Sequence, residues 1–200
     1  YTLLPLSVLV QKFRDKESVV RCVSVTFDDG YKGWVTNVLP VLEKYNVPAT
    51  CFITTGKLGT EVTTSDGVML STLSKEELSS FCAHPLIECL PHSMTHPNLA
   101  ELSLFQAVEE IEGSRRDIEA VCGGKRSVFA YPKGRYSHEV VAYLKGSAAW
   151  GGAVTVERGL VHPSSDAYLL PRLPVDSETT FTQFKAMLSN GFGLYARIFG

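Results

Sequence analysis

No apolar run in this 200-residue chain approaches the ~20 residues that a membrane-spanning helix needs, so no transmembrane segment is expected. A basic excess is missing too: 19 Lys+Arg stand interspersed with 21 Asp+Glu, for a net charge of −2. That excludes the basic stripe on which phosphate contacts depend, and no nucleic-acid partner is expected. Cysteine is sparse. The five thiols (Cys22, Cys51, Cys82, Cys89, Cys122) form no Cys-x-x-Cys pair, which argues against a thiolate zinc finger or a thioredoxin-type motif. Being odd in number, they leave at least one thiol free. Repeats, low-complexity tracts and linkers are absent, so residues 1–200 read as one domain. Neither an initiating Met nor a basic segment followed by an apolar run and cleavage site is present. The opening at Tyr1 therefore reads as that of a processed or truncated chain without a signal peptide. What is present is a globular composition, 44 % hydrophobic and 20 % charged, which excludes intrinsic disorder.

Hydrophobic periodicity alternates between two kinds along the chain. Arg21–Phe27 alternates as a strand, with Val23, Val25 and Phe27 on one face and Ser24, Thr26 and then Asp28 on the other. From Trp34 the pattern turns helical, with Trp34, Val38, Val41, Leu42 and Tyr45 on one stripe, and Pro48 ends it. Residues 49–56 read as a second strand. Ser74 and Glu77 form a capping box flanked by Leu73 and Leu78, which starts a helix. Residues 86–90 are a third strand. Ser103 with Gln106 caps a longer helix bearing Leu104, Ala107, Val108, Ile111, Ile118 and Val121, stopped by Gly123-Gly124. Strands follow at 127–132, 150–156 and 168–175, and a last helix runs from about Thr180 to a Gly191 stop. Such alternation predicts an α/β fold with a parallel sheet, either doubly wound or an incomplete barrel. Functional residues then belong at the carboxyl ends of the strands.

Three clusters fall at such ends. In Thr26-Phe27-Asp28-Asp29-Gly30 the adjacent carboxylates face different ways, so one can ligate a cation while the other handles protons; the same residues also suit a solvated turn. In His92-Ser93-Met94-Thr95-His96, imidazoles at i and i+4 of a helical turn can chelate one cation, although the spacing also arises by chance. The missing Glu of His-Glu-x-x-His disfavours a metalloprotease. In Tyr131-Pro132-Lys133-Gly134 a turn after a strand can aim a backbone N–H at an oxyanion, or simply be structural. Together, an Asp and two His make a three-ligand site with an open position, and a second Asp stands beside it.

TFDDG, HSMTH followed by PNLAELS, and FAYPKGRYS resemble the first three motifs of the polysaccharide deacetylases, the NodB-homology domain of carbohydrate esterase family four. The resemblance runs in order and spacing from Val23 to Leu188. It implies a distorted, incomplete (β/α) barrel with about six to seven parallel strands. The implied activity is metal-dependent removal of acetyl groups from N-acetylated sugars, N-acetylglucosamine polymers or oligomers, by metal-activated water. Carried over by position, Asp28 is the catalytic base, and Asp29, His92 and His96 are ligands to a divalent metal, Zn²⁺ before Co²⁺, Ni²⁺ or Mn²⁺. The Lys133 backbone N–H is the oxyanion donor, and Tyr131 and Pro132 shape the groove.

Elsewhere the chain departs from the pattern. Ala130 stands where the family carries Arg, no Asp-rich fourth motif surrounds Trp150, and Leu170-Pro171-Arg172-Leu173-Pro174 replaces the Leu-x-His of the usual general acid. By position, Arg172 is expected to pair with Asp28 in place of the missing Arg. His138 and His162 read as exposed loop residues, and His84 as structural. Glu88 either orients a ligating imidazole or faces solvent. Trp34, Tyr31 and Trp150 are candidates for stacking on sugars, with Trp34 placed in the core by its stripe. Residues 58–71 form a long polar loop, either a groove wall or a disordered excursion. Two other readings follow from the missing acid: an O-acetyl esterase or other C–N hydrolase of the same fold, or a weak carbohydrate-binding relative. The resemblance favours a cell-envelope or secreted setting, while unpaired cysteines lean the other way.

Overall fold

Ala49–Ile53 is buried at all of its positions, as a central strand covered on both faces must be. The structure is a computed structural model and describes residues 1–64 and 67–189. In chain order it contains β1 (Thr2–Leu3), α1 (Leu6–Arg14), β2 (Cys22–Val23), β3 (Val25–Phe27), a π-helical segment (Trp34–Val38) running into α2 (Leu39–Tyr45), and β4 (Ala49–Ile53). A hairpin of β5 (Glu61–Thr63) and β6 (Met69–Ser71) precedes α3 (Lys75–Cys82), β7 (Ile87–Pro91), α4 (Leu104–Cys122) and β8 (Val128–Ala130). The chain continues through α5 (His138–Gly146), β9 (Gly152–Arg158), β10 (Leu170–Arg172) and α6 (Phe181–Met187). The Gly191 stop lies outside the described residues.

Two parallel three-stranded sheets organise the molecule, β3-β4-β7 and β8-β9-β10. Strand alternation sorts their side chains. Ala49, Cys51, Ile53, Ile87 and Cys89 pack against Trp34, Leu42, Leu78, Phe81 and Ile118 of the helical layer. Phe129, Tyr131 and Ala153 pack against α4 and α5 through Ala107, Ile111, Val140 and Leu144. The opposite faces of both sheets share one interior cluster of Phe52, Leu90, Val128, Ala130, Val154 and Leu170. Each large side chain so buried contributes about 1.5–3 kcal/mol. Leu6 and Val10 of α1 close this interior at the amino ends of the strands.

The sequence pattern did not assign α1, because its caps come from far away. Its Leu6 N–H donates to Thr50 Oγ1 at 2.9 Å and its Ser7 N–H to Glu88 Oε2 at 3.2 Å. Glu88 therefore neither orients an imidazole nor faces solvent: it accepts from Ser7 and Thr50 inside the fold, at the favourable amino end of a helix. Helix α5, also unassigned, is capped by Ser137, whose hydroxyl accepts the Val140 N–H.

The expected stripe of α2 is corrected as well. Trp34 and Leu42 are buried, but Val41 is 53 % and Tyr45 65 % exposed. Val38 packs on the core as expected, but the π-helical turn adds a residue and shifts the phase, so Val35 and Leu39 join it there in place of Val41 and Tyr45. Within the expected loop 58–71, β5 and β6 pair antiparallel and are tethered to the fold: the Lys32 N–H donates to Ser71 O at 2.9 Å and Tyr31 bridges to Thr72. In β10, Pro171 lacks an N–H, and the register with β9 shifts between Leu170 and Arg172.

Cys82 and Cys122 form a disulfide between the ends of α3 and α4, whereas Cys22, Cys51 and Cys89 are free. Closing a loop of 40 residues is worth about 4 kcal/mol in the chain-entropy description. Burial pushes the Cys89 thiol up to about 12, which leaves it unreactive.

Candidate active site

The carboxyl ends of β3, β7, β8 and β10 meet at one edge. After Phe27 the chain turns sharply, with φ of 83° at Asp29 and 86° at Gly30, so the two neighbouring carboxylates diverge. Asp28 points toward β10. Arg172 grips it with both ends of its guanidinium, Nη1 to Oδ1 and Nη2 to Oδ2, each at 2.7 Å. The same side chain is held by donation from Nε to Thr155 O at 2.8 Å and from Nη1 to Thr26 Oγ1 at 3.4 Å. A fork of this kind fixes the carboxylate's orientation as well as its charge. Burial alone pushes the Asp28 carboxyl up, but the Arg172 hydrogen bond and the charges of His92, Arg172 and His96 outweigh it. Asp28 consequently lies below the usual carboxylate range and is ionised at neutral pH.

Asp29 turns the other way. Its Oδ1 lies 3.6 Å from His92 Nε2 and 3.3 Å from His96 Nε2, while its Oδ2 accepts the Tyr31 hydroxyl at 3.0 Å. One donor atom from each of Asp29, His92 and His96 falls within 4.8 Å of the others, as a cation site requires. The tautomer fits as well. His92 is 2 % exposed and donates from Nδ1 to Ala130 O at 2.8 Å, which leaves the Nε2 lone pair facing Asp29. Burial, then the neighbouring His92, lowers the His96 pKa and favours the neutral, ligating form.

The two histidines do not share a helical turn, contrary to the spacing argument. Residues 92–96 form an irregular loop in which Ser93 and His96 take φ of 63° and 64°. Ser93 Oγ accepts the His96 N–H at 3.0 Å. The loop is pinned from outside by Glu110 of α4, which accepts from Met94 N at 2.9 Å, Thr95 N at 2.8 Å and Thr95 Oγ1 at 2.8 Å. Gly113, one turn on, leaves room for Met94: a Cβ there would lie 2.3 Å from Met94 Sδ. Sequence reasoning missed Glu110, which reads as one more acidic residue on a helix face. Glu110→Ala is expected to weaken Zn²⁺ binding about 10–100-fold, as loss of an orienting outer partner does. A chelator competition measures it, and unchanged affinity would remove Glu110 from the site.

The turn after β8 places Lys133 at φ 56° beside the cluster, where its charge contributes to the lowered His96 pKa. Tyr131 is 0 % exposed and donates to Tyr168 O at 3.0 Å. Pro132 is buried too. These two support the turn from behind and offer no open surface to a ligand, which corrects their assignment as groove residues. Trp34 and Trp150 are core residues, the latter donating from Nε1 to Glu112 at 2.8 Å. His84 pairs with Glu43 at 3.1 Å. His138 is exposed at the start of α5, and His162 is exposed among Ser164 and Ser165.

The polysaccharide deacetylase family model matches residues 15–148. YxkH of Bacillus subtilis strain 168 is 26 % identical over 189 residues, which is 94 % of this chain and 64 % of that protein. A poly-beta-1,6-N-acetyl-D-glucosamine N-deacetylase of Staphylococcus aureus strain MRSA252 is 27 % identical over 166 residues, 79 % of this chain and 56 % of that protein. The chain thus spans less than two thirds of these relatives. In fold it is similar to the Streptococcus pyogenes deacetylase PplD in complex with acetate, with a TM-score of 0.80 and 20 % identity over 94 % of this chain and 80 % of that one. With the family model matching well over half of its length, the chain belongs to the polysaccharide deacetylase family.

Proposed function

We propose that the protein removes acetyl groups from N-acetylated sugars, N-acetylglucosamine-containing polysaccharide or oligosaccharide, as a single domain over residues 1–200. The observation that carries this reading is the pairing of an Asp29–His92–His96 donor set with an adjacent carboxylate, Asp28, held by Arg172. The two sheets around one shared interior, capped by α1, read as an incomplete (β/α) barrel of six parallel strands. Its carboxyl edge is where such folds carry chemistry.

Asp29, His92 and His96 would hold a divalent cation, Zn²⁺ first and Co²⁺, Ni²⁺ or Mn²⁺ next. A bound cation supplies Lewis acidity, polarising a carbonyl oxygen and bringing the pKa of water to about 7. The protein's own groups do the rest. Asp28, ionised and fixed in direction, accepts the proton of the attacking water at a carboxylate oxygen. The Lys133 backbone N–H donates to the oxyanion of the tetrahedral intermediate, a contact worth roughly 3 kcal/mol. Asp28 then returns its proton to the leaving nitrogen. A second reading, an O-acetyl esterase, draws support from where the other histidines lie: His84 pairs with Glu43, and His138 and His162 are exposed on the surface. An alkoxide needs less help from an acid than an amine does. The Cys82–Cys122 disulfide fits an oxidising setting, and we place the protein at the cell envelope or outside it. No helix among the described residues is long and apolar enough to cross a membrane.

Acetate release from N-acetylglucosamine oligomers tests the proposal. Chelated protein is expected to be inactive and to recover with Zn²⁺ or Co²⁺. Metal-loaded protein that releases acetate only from O-acetyl esters would transfer the assignment to the esterase, and binding without release would make it a carbohydrate-binding relative. Arg172→Ala gives a second expectation. Without the guanidinium, burial dominates at Asp28 and its pKa rises, so the acid limb of the kcat/KM profile moves to higher pH. An unmoved limb would separate Arg172 from the chemistry.

A further inference from the structure

Thr54 is 2 % exposed, and its Oγ1 has no hydrogen-bond partner. Among the described residues only one other buried side-chain polar atom, Arg126 Nε, is in that position. Buried polar groups are overwhelmingly partnered, so a buried hydroxyl that no protein group meets points to a ligand. Neighbouring threonines make the contrast plain. Thr50 Oγ1 donates to Glu88 at 2.6 Å, Thr55 Oγ1 to Asp117 at 2.7 Å, and Thr26 Oγ1 accepts from Arg172 at 3.4 Å.

Position tells which group the hydroxyl faces. Thr54 follows β4, whose last residue Ile53 pairs in register with Pro91, so Thr54 comes level with His92. On its other flank β4 pairs with β3, which leads into Asp28 and Asp29. Alternation sets the direction. Thr50 and Phe52 face the interior, the latter with its ring 6.2 Å from that of His92 and 5.8 Å from the Arg172 guanidinium carbon. Thr54 remains extended, at φ −85° and ψ 95°, which keeps its side chain on that face one step nearer the carboxyl edge.

We infer that Thr54 is a further residue of the site, its hydroxyl hydrogen-bonding a water oxygen held at the Asp29–His92–His96 donors. The inference rests on reading those donors as a cation site. Wild type, Thr54→Val, Thr54→Ala and Thr54→Ser are compared, with Zn²⁺ affinity measured by chelator competition, the visible spectrum of the Co²⁺ form, and the melting temperature of metal-free protein. Thr54→Val should melt at or above the wild-type temperature when metal-free, because it removes an unpartnered buried hydroxyl. It should nonetheless bind Zn²⁺ about tenfold more weakly and shift the Co²⁺ bands. Thr54→Ala, which adds no bulk, carries the same binding expectation, and Thr54→Ser should restore both readouts. Wild-type affinity and spectrum in both Val and Ala variants would overturn the inference alone. A wild type that binds no Zn²⁺ would overturn the cation-site reading and the inference with it.

Discussion

Asp28→Asn lowers kcat by about 10²–10⁴-fold, the usual contribution of a positioned general base, and leaves one metal ion per chain. The amide keeps the shape of the carboxylate but can no longer accept a proton. It also presents an N–H₂ to an Arg172 fork that matches a carboxylate, so at least one of the two 2.7 Å contacts is lost. Metal content by elemental analysis, read beside single-turnover rates, separates this outcome from its rival. If Asn at position 28 strips the metal while the Asp29 variant retains it, the roles of the two aspartates are reversed.

His92→Ala acts in the opposite order, losing the metal first and activity as a consequence. Zn²⁺ affinity should fall by more than the roughly 10–100-fold that loss of an outer-shell partner produces. Folding suffers as well. His92 is buried at the junction of β7 and β8, and truncating it leaves Ala130 O without the donor now 2.8 Å away. A buried carbonyl so orphaned costs about 1–3 kcal/mol, on top of the cavity. Metal stoichiometry and a urea titration on the same sample check both effects. Full stoichiometry in the variant would exclude His92 as a ligand.

What the sequence made legible was whatever a short stretch of chain settles by itself. The capping boxes at Ser74 and Ser103 form as read, because each is completed within four residues. The TFDDG turn is local too, although its carboxylates diverge through the positive φ at Asp29 and not through strand alternation, since the strand ends at Phe27. Arg172 lies 144 residues from Asp28, yet both end strands of a parallel arrangement, and that sufficed to anticipate their meeting. Features completed at a distance stayed hidden. Helix α1 begins where Thr50 and Glu88 receive its first N–H groups, and Glu110 reaches the histidine loop from the middle of α4. The π-helical turn before α2 shifted a stripe that an ideal period would have kept in phase. Tyr131 carried a groove role by resemblance, but alternation on β8 sends it to the helical side.

The positive φ angles at Asp29, Ser93, His96 and Lys133 limit what substitution can relieve. Left-handed backbone costs an L-residue roughly 1–2 kcal/mol, less for Asp and His than for branched side chains, and glycine escapes it. The four residues are held in that conformation where ligands and turn must converge, so the apparatus for chemistry and the preference for the most stable chain pull apart. Glycine would relieve that strain, but at Asp29 or His96 only by removing a donor atom of the Asp29–His92–His96 set, and at Ser93 only by removing the hydroxyl that holds the His96 N–H. At these positions the backbone strain and the side chains that impose it are inseparable.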